Sequence, residues 1–157
     1  MTKRAKASSK DPKHIFYRYL RDKAIRHSKQ RDLILDVFLK TERHLAIPDL
    51  YSLVKRRYSN IGYATVYRTM KLICAAGLAE EVDFGDGITR FEHKYGHEHH
   101  DHVICIRCGK FVEAMNPAIE RMQERLAQDH GFTYIRHRMQ IFGICKGCKG
   151  KKREEAG

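Results

Sequence analysis

Four cysteines stand in two pairs of equal spacing, Cys105-x-x-Cys108 and Cys145-x-x-Cys148. A C-x-x-C turn aims two thiolates at one point, and two such turns can offer Zn²⁺ a closed tetrahedron of sulfur. With all four positions filled by protein, no place is left for a substrate, so the chemistry implied is a structural zinc. A redox C-x-x-C is the competing reading, but it does not account for two pairs. Gly109 and Gly147 supply the backbone freedom such turns need. The 36 residues between the pairs exceed a minimal zinc ribbon and carry the pattern of a helix and a strand. The fifth cysteine, Cys74, falls in an apolar helical pattern and reads as a small buried side chain.

The histidines are as unevenly placed. Five of the ten lie within His93–His102, ending in His99-His100-Asp101-His102. In an extended chain, alternation sends His100 and His102 to one side and His99 and Asp101 to the other, so one segment could feed two sites. Distant residues must complete each site. Imidazole and carboxylate ligands suit Fe²⁺, Mn²⁺, Co²⁺ or Zn²⁺. His137 is a candidate because it interrupts an apolar alternation of Ile135, Met139 and Ile141. Taken alone it reads equally as a satisfied core histidine, and the run as a metal buffer or a solvated loop.

The elements that must position these groups fall into two halves. Asp11-Pro12 caps a helix with Ile15, Phe16, Tyr19 and Leu20 at helical spacing. Ser28 caps a second, with Leu33, Ile34, Val37 and Phe38. Pro48 opens a third, with Leu50, Leu53 and Val54 inward, and a fourth over about 64–76 closes at Gly77. Two alternating segments about Gly85-Asp86-Gly87, residues 78–84 and 88–93, predict a β-hairpin. Three helices and a hairpin describe a winged helix-turn-helix, here with one helix in front. In the fourth helix Val66, Met70 and Ile73 face the core, while Tyr63, Tyr67 and Lys71 share another face with Arg68 beside them. Cations and aromatics on an exposed helix suit a DNA major groove. The competing reading is an ordinary amphipathic helix whose tyrosines complete the core. Residues 94–102 read as a hinge. Strands follow at about 102–107 and 111–115, then a helix from Asn116-Pro117 with Ile119, Met122 and Leu126 as its apolar stripe, and a last strand over 132–144. The fold class expected is α+β: a winged-helix domain (23–93) behind an N-terminal arm and extra helix (1–22), the hinge (94–102), a small α/β dimerisation domain with the Cys₄ zinc (103–148) and a charged tail (149–157).

Charge agrees with a polyanionic partner. Residues 1–60 carry 16 Lys and Arg against 6 Asp and Glu, a balance of +10 in a chain of net +12. No apolar run reaches the ~20 residues of a membrane span, and the polar Met1–Lys10 does not resemble a secretory signal. A cytoplasmic protein with reduced thiols is the expectation.

Several motifs in order, Gly62-Tyr63-Ala64-Thr65-Val66-Tyr67-Arg68, His99-His100-Asp101-His102 and Cys105-x-x-Cys108-Gly109-Lys110, make about 25–148 resemble the ferric uptake regulator family. The resemblance implies a homodimeric regulator, usually a repressor, that binds a palindromic operator when its sensing metal is loaded. It places the hinge-side sensing site on His44, Glu92, His100 and His102, with Glu113 as a further ligand. A second site falls on His99, Asp101, Glu120 and His137. It assigns structural zinc to the four cysteines, DNA recognition to Tyr67 and Arg68, and a minor-groove cation to Arg26. Glu92 stands where the peroxide-sensing branch typically has aspartate, which favours Fe²⁺, with Zn²⁺ or Mn²⁺ as other occupants. Gln30 replaces a proline often found before the arginine matched by Arg31, and residues 1–22 extend beyond the short family form. The alternatives are a peroxide or zinc sensor on the same scaffold, a metal-storage protein, which would not need the basic half, and a zinc hydrolase. The hydrolase would need an open coordination position, and no H-E-x-x-H or nucleophile motif is present. Neither an enzymatic activity nor a small-molecule substrate is expected.

Overall fold

Helix α1 (Pro12–Asp22) begins where Asp11 accepts a hydrogen bond from the Lys13 N–H at 3.1 Å, with proline in its first turn. The computed structural model describes residues 11–41, 43–95 and 100–150. The basic arm 1–10, His99 and most of the charged tail lie outside them. By its contacts the chain divides into two units, Met1–Asp83 with Gly87–His97, and Phe84–Asp86 with Glu98–Gly157.

In the first unit α1 buries Phe16 and Leu20 in the same core as Ile34 and Phe38 of α2 (Lys29–Leu39), and Lys13 pairs with Asp36 at 2.9 Å. Ser28 caps α2 through the Arg31 N–H at 3.4 Å. Ser28→Ala is therefore expected to destabilise this unit by about 0.5–2 kcal/mol, read as a lower midpoint in urea. Gln30, in place of a proline, sits inside the first turn of α2, which forms with it. Strand β1 (Leu45–Ala46) leads into α3 (Ile47–Arg57), which starts one residue before Pro48. Asp49 of its first turn accepts from the Ala46 N–H at 3.3 Å. Leu50 and Val54 are buried and Leu53 is partly so. Helix α4 (Tyr63–Ala75) ends at Gly77 (φ +78), where the Leu78 N–H reaches the Ile73 carbonyl and the Gly77 N–H the Cys74 carbonyl. Only a left-handed residue closes a helix in this way, hence glycine.

Strands β2 (Ala79–Asp83) and β3 (Thr89–His93) form the predicted hairpin, and β1 adds antiparallel to β3, giving the order β1-β3-β2. One continuous core, from Phe16 through Ile34, Phe38 and Met70 to Phe91, joins these four helices and the hairpin. That is a winged helix with a helix in front. Cys74 differs from expectation: it is half-buried at the core's margin, since its helix turns it toward exposed Lys71 and Ala75, and burial still pushes its thiol up to about 11.

The second unit holds β4 (Asp101–Cys105), β5 (Phe111–Ala114), α5 (Pro117–Asp129) and β6 (Gln140–Gly143). Strand β4 is central, antiparallel to β5 and parallel to β6. Asp101 and His102 open β4 as ladder residues. The last strand is shorter than its alternation suggests. Only Gln140–Gly143 pairs with β4; residues 132–139 have no regular assignment among the described residues, because β4 offers partners only up to its own first residue. The stripe on α5 is also not interior in this chain: Met122 is 71% and Leu126 60% exposed, and Ile135 is 82% exposed. Among the described residues no helix is long and apolar enough to cross a membrane.

Candidate metal centres and recognition helix

The four cysteines converge. Cys105 ends β4, Cys108 lies in the turn before β5, and Cys145 and Cys148 follow β6, so the β4–β6 pairing brings the two C-x-x-C turns to one end of the sheet. Their sulfurs lie within 4.8 Å of one another. Zn–S bonds of ~2.3 Å in a tetrahedron give S···S edges of about 3.8 Å, and Cys108 Sγ to Cys145 Sγ is 3.7 Å. A disulfide would need about 2.05 Å. Backbone N–H groups also face the cluster. Cys105 Sγ accepts from the Cys145 N–H at 3.3 Å, and this bond, then one from Cys108, holds its thiol down to about 6. Cys148 is pushed up to about 12, first by hydrogen bonding to Cys108 and then to Cys145.

Two further groups follow from strand register. In the first unit, Leu45 pairs with Phe91, so His44, one residue earlier, falls beside Glu92. Their Nε2 and Oε2 are in hydrogen-bonding contact, and both side chains are largely buried, at 5% and 13% exposure. In the second unit, His100 and His102 lie two residues apart on one side of the strand, with ring centroids 5.1 Å apart. His102 sits opposite Glu113 in the β4–β5 register, and His100 Nε2 is 3.7 Å from Glu113 Oε1. Phe84 and Phe111 wall His102, at 5.1 and 6.1 Å between centroids. Neither phenylalanine carries a ligand pattern in the sequence; their place comes from packing alone.

Asp101 points to the other side of β4, as alternation requires. His137 Nε2 is 3.3 Å from Asp101 Oδ1 and 3.3 Å from Glu120 Oε1. Metal–ligand bonds of ~2.1 Å give ligand–ligand edges of about 3.0–3.4 Å, so the three groups fit one cation. Glu120 Oε1 is buried without a hydrogen bond, a costly state that a cation relieves. Asp101, 2% exposed, is fixed by the Met139 N–H at 3.2 Å. Tyr134, which sequence reasoning missed, hydrogen-bonds His137 Nδ1. Burial, and after it Glu120, raises the Tyr134 pKa and so keeps it a phenol. Strand alternation puts residues three apart on opposite faces; only the irregular backbone at 132–139 lets these two meet.

Helix α4 divides as its periodicity predicts. Val66, Met70 and Ile73 are fully buried, while Tyr63 and Tyr67 are 47% and 46% exposed and Arg68 and Lys71 are exposed. Lys71 pairs with Glu81 on the hairpin and lies over the Tyr67 ring at 5.6 Å, while Tyr63 packs edge-on against Tyr51. Arg26 is exposed between α1 and α2, and its carbonyl accepts from the Arg31 guanidinium.

Known proteins resemble this chain in sequence and in fold. The chain is 37% identical over 139 residues to the ferric uptake regulation protein of Campylobacter jejuni, covering 87% of this chain and 88% of that protein. It is 38% identical over 128 residues to that of Bacillus subtilis, covering 80% and 86%. Its fold is similar to the Helicobacter pylori ferric uptake regulator, described as having three functional metal binding sites (TM-score 0.77, 25% identity, covering 92% of this chain and 97% of that one). A zinc-bound manganese uptake regulator is also similar (TM-score 0.61, 34% identity, covering 83% and 98%). The model of a family of regulators rather than enzymes matches residues 22–142, from the end of α1 into β6, and by that match the chain belongs to the ferric uptake regulator family.

Proposed function

We propose that this chain is a metal-responsive transcriptional repressor of metal homeostasis that binds a palindromic DNA operator as a homodimer in the cytoplasm. The observation that carries the reading is the split character of α4. Its apolar face is fully buried, so the tyrosines and Arg68 on the other face stand outward at no cost to the core. Cations and aromatics at that spacing match phosphates, guanine edges and thymine methyls. The exposed side chains of Met122, Leu126, Phe132 and Ile135 in the second unit supply the apolar surface a second copy would cover.

In this reading the four cysteines hold a structural zinc. His44, Glu92, His100, His102 and Glu113 form the sensing set; Asp101, Glu120 and His137, with His99, form the second. A bound divalent ion supplies one positive centre that imidazoles and carboxylates can share. His44 and Glu92 belong to the reading half, whereas His100 and His102 belong to the dimerising half. Sharing an ion therefore favours one arrangement of the halves, by no more than the difference in affinity between arrangements. Iron is the proposed occupant in the cell. Zinc or manganese is the second reading, favoured by the likeness to the zinc-bound manganese uptake regulator.

Operator footprinting with Fe²⁺, Mn²⁺ and Zn²⁺ in turn tests both readings. Protection that does not depend on any of them would sink the regulator mechanism. Arg68→Ala is expected to weaken operator binding by about 1–3 kcal/mol if the guanidinium reads a base edge, measured by fluorescence anisotropy. Equal loss on scrambled DNA would demote it to a phosphate contact.

A further inference from the structure

His137 is the only imidazole among the described residues of the Asp101–Glu120–His137 group, and its two ring nitrogens face different partners. Nε2 points at the carboxylates, 3.3 Å from each. Nδ1 is hydrogen-bonded to the Tyr134 hydroxyl, with the rings 6.1 Å apart and inclined by 34°. A neutral imidazole has one N–H and one lone pair, and which nitrogen carries the proton is set by the bond the other makes. For Nε2 to offer its lone pair toward Asp101 and Glu120, the proton must sit on Nδ1, and an N–H there needs an acceptor. The Tyr134 oxygen is that acceptor. The opposite arrangement, with the phenol donating to a bare Nδ1, would aim an Nε2–H at the ligand position and close it.

The geometry points to Tyr134 as the positioning residue that fixes His137 as an Nε2 ligand of the second metal site. This rests on the reading of Asp101, Glu120 and His137 as a metal site. Two features of the chain give such a residue a role. His137 lies in the stretch 132–139, which has no regular strand pairing. Asp101, by contrast, is held by strand β4 and by the Met139 N–H, and Glu120 stands on helix α5. The hydrogen bond to the Tyr134 hydroxyl orients the imidazole within that irregular stretch.

The test is Tyr134→Phe in the full-length chain, with the sensing set silenced by His44→Ala and His100→Ala and zinc retained on the cysteines. Co²⁺ is titrated and followed by its visible absorption. The expected result is a ten- to hundredfold weaker second-site affinity, as for loss of other partners behind metal-bound histidines. Nitrogen-15 spectra of the Zn²⁺-loaded protein should show His137 with a slowly exchanging proton on Nδ1 and the ion on Nε2, and Tyr134→Phe should lose that slow proton. Co²⁺ binding equal to the parent's would overturn the inference, as would an ion on Nδ1. Should Tyr134→Phe shed its cysteine-bound zinc, the nitrogen spectrum of the parent protein decides alone. A parent that takes up no ion at Asp101, Glu120 and His137 would overturn the underlying site assignment along with this one; a parent that binds while Tyr134→Phe binds equally overturns only the role of Tyr134.

Discussion

Cys105→Ser is expected to abolish zinc retention and unfold the second unit while leaving the helices of the first intact. The asymmetry follows from the two cores. The first unit buries a continuous cluster from Phe16 to Phe91 across four helices and a hairpin. Among the described residues of the second, the only buried apolar side chains are Phe84, Ile104 and Cys105, and α5 buries none. So small a core does not offset the conformational entropy of ordering the unit. Structural zinc contributes ~10–16 kcal/mol of apparent binding free energy at neutral pH, comparable to or larger than the whole stability of an ordinary domain. Cys105 is the strongest choice of the four because it is buried and its sulfur also accepts the Cys145 N–H, tying one turn to the other. Elemental analysis should fall from one zinc per chain to none. Sedimentation should show monomer, and the near-native helical signal of the first unit should persist. A zinc-free chain that stays dimeric and cooperatively folded would refute the structural assignment. Prolonged chelation of the parent protein should move it the same way.

How legible this was in the sequence depended on the range of the forces involved. Caps, helix faces and turns are local, and Asp11, Ser28, Gly77 and the Gly85–Gly87 turn mark the elements they begin or end. The paired cysteines and the alternation of His100, Asp101 and His102 are also short-range patterns with a fixed geometric meaning. Partners brought in by register were not legible without the family resemblance. Nothing local sets Glu92 beside His44, 48 residues away, or Glu120 beside His137; antiparallel pairing and helix packing do that. Tyr134 and Phe84 escaped altogether, because an irregular stretch and a hairpin turn obey no periodicity. The apolar alternation of 132–144 was real, but most of its residues find no strand partner within one chain. A hydrophobic pattern records that a surface is to be covered, not which copy covers it.

His100→Ala is expected to uncouple operator binding from metal without disturbing the zinc on the cysteines. His100 is half-buried, faces His102, and shares Glu113 with it, so its loss removes one imidazole from the proposed sensing set. It lies one residue before β4 and five from Cys105, the nearest cysteine of the proposed zinc site. The metal concentration needed for half-maximal operator binding should therefore rise steeply. At fixed metal, the gain in operator affinity on loading, typically ~1–3 kcal/mol for such coupling, should fall toward zero. Reciprocity makes a second measurement available: operator DNA should tighten metal binding by the same factor in the parent and fail to do so in the variant. Asp101→Asn is the informative neighbour. Adjacent residues on a strand point to opposite sides, so it should disturb ion binding beside His137 and Glu120 while sparing the ions that His100 and His102 would hold. If His100→Ala kept full metal dependence, or if the two substitutions could not be told apart, one strand would not be serving two separate sites, and the division of labour assigned to β4 would be wrong.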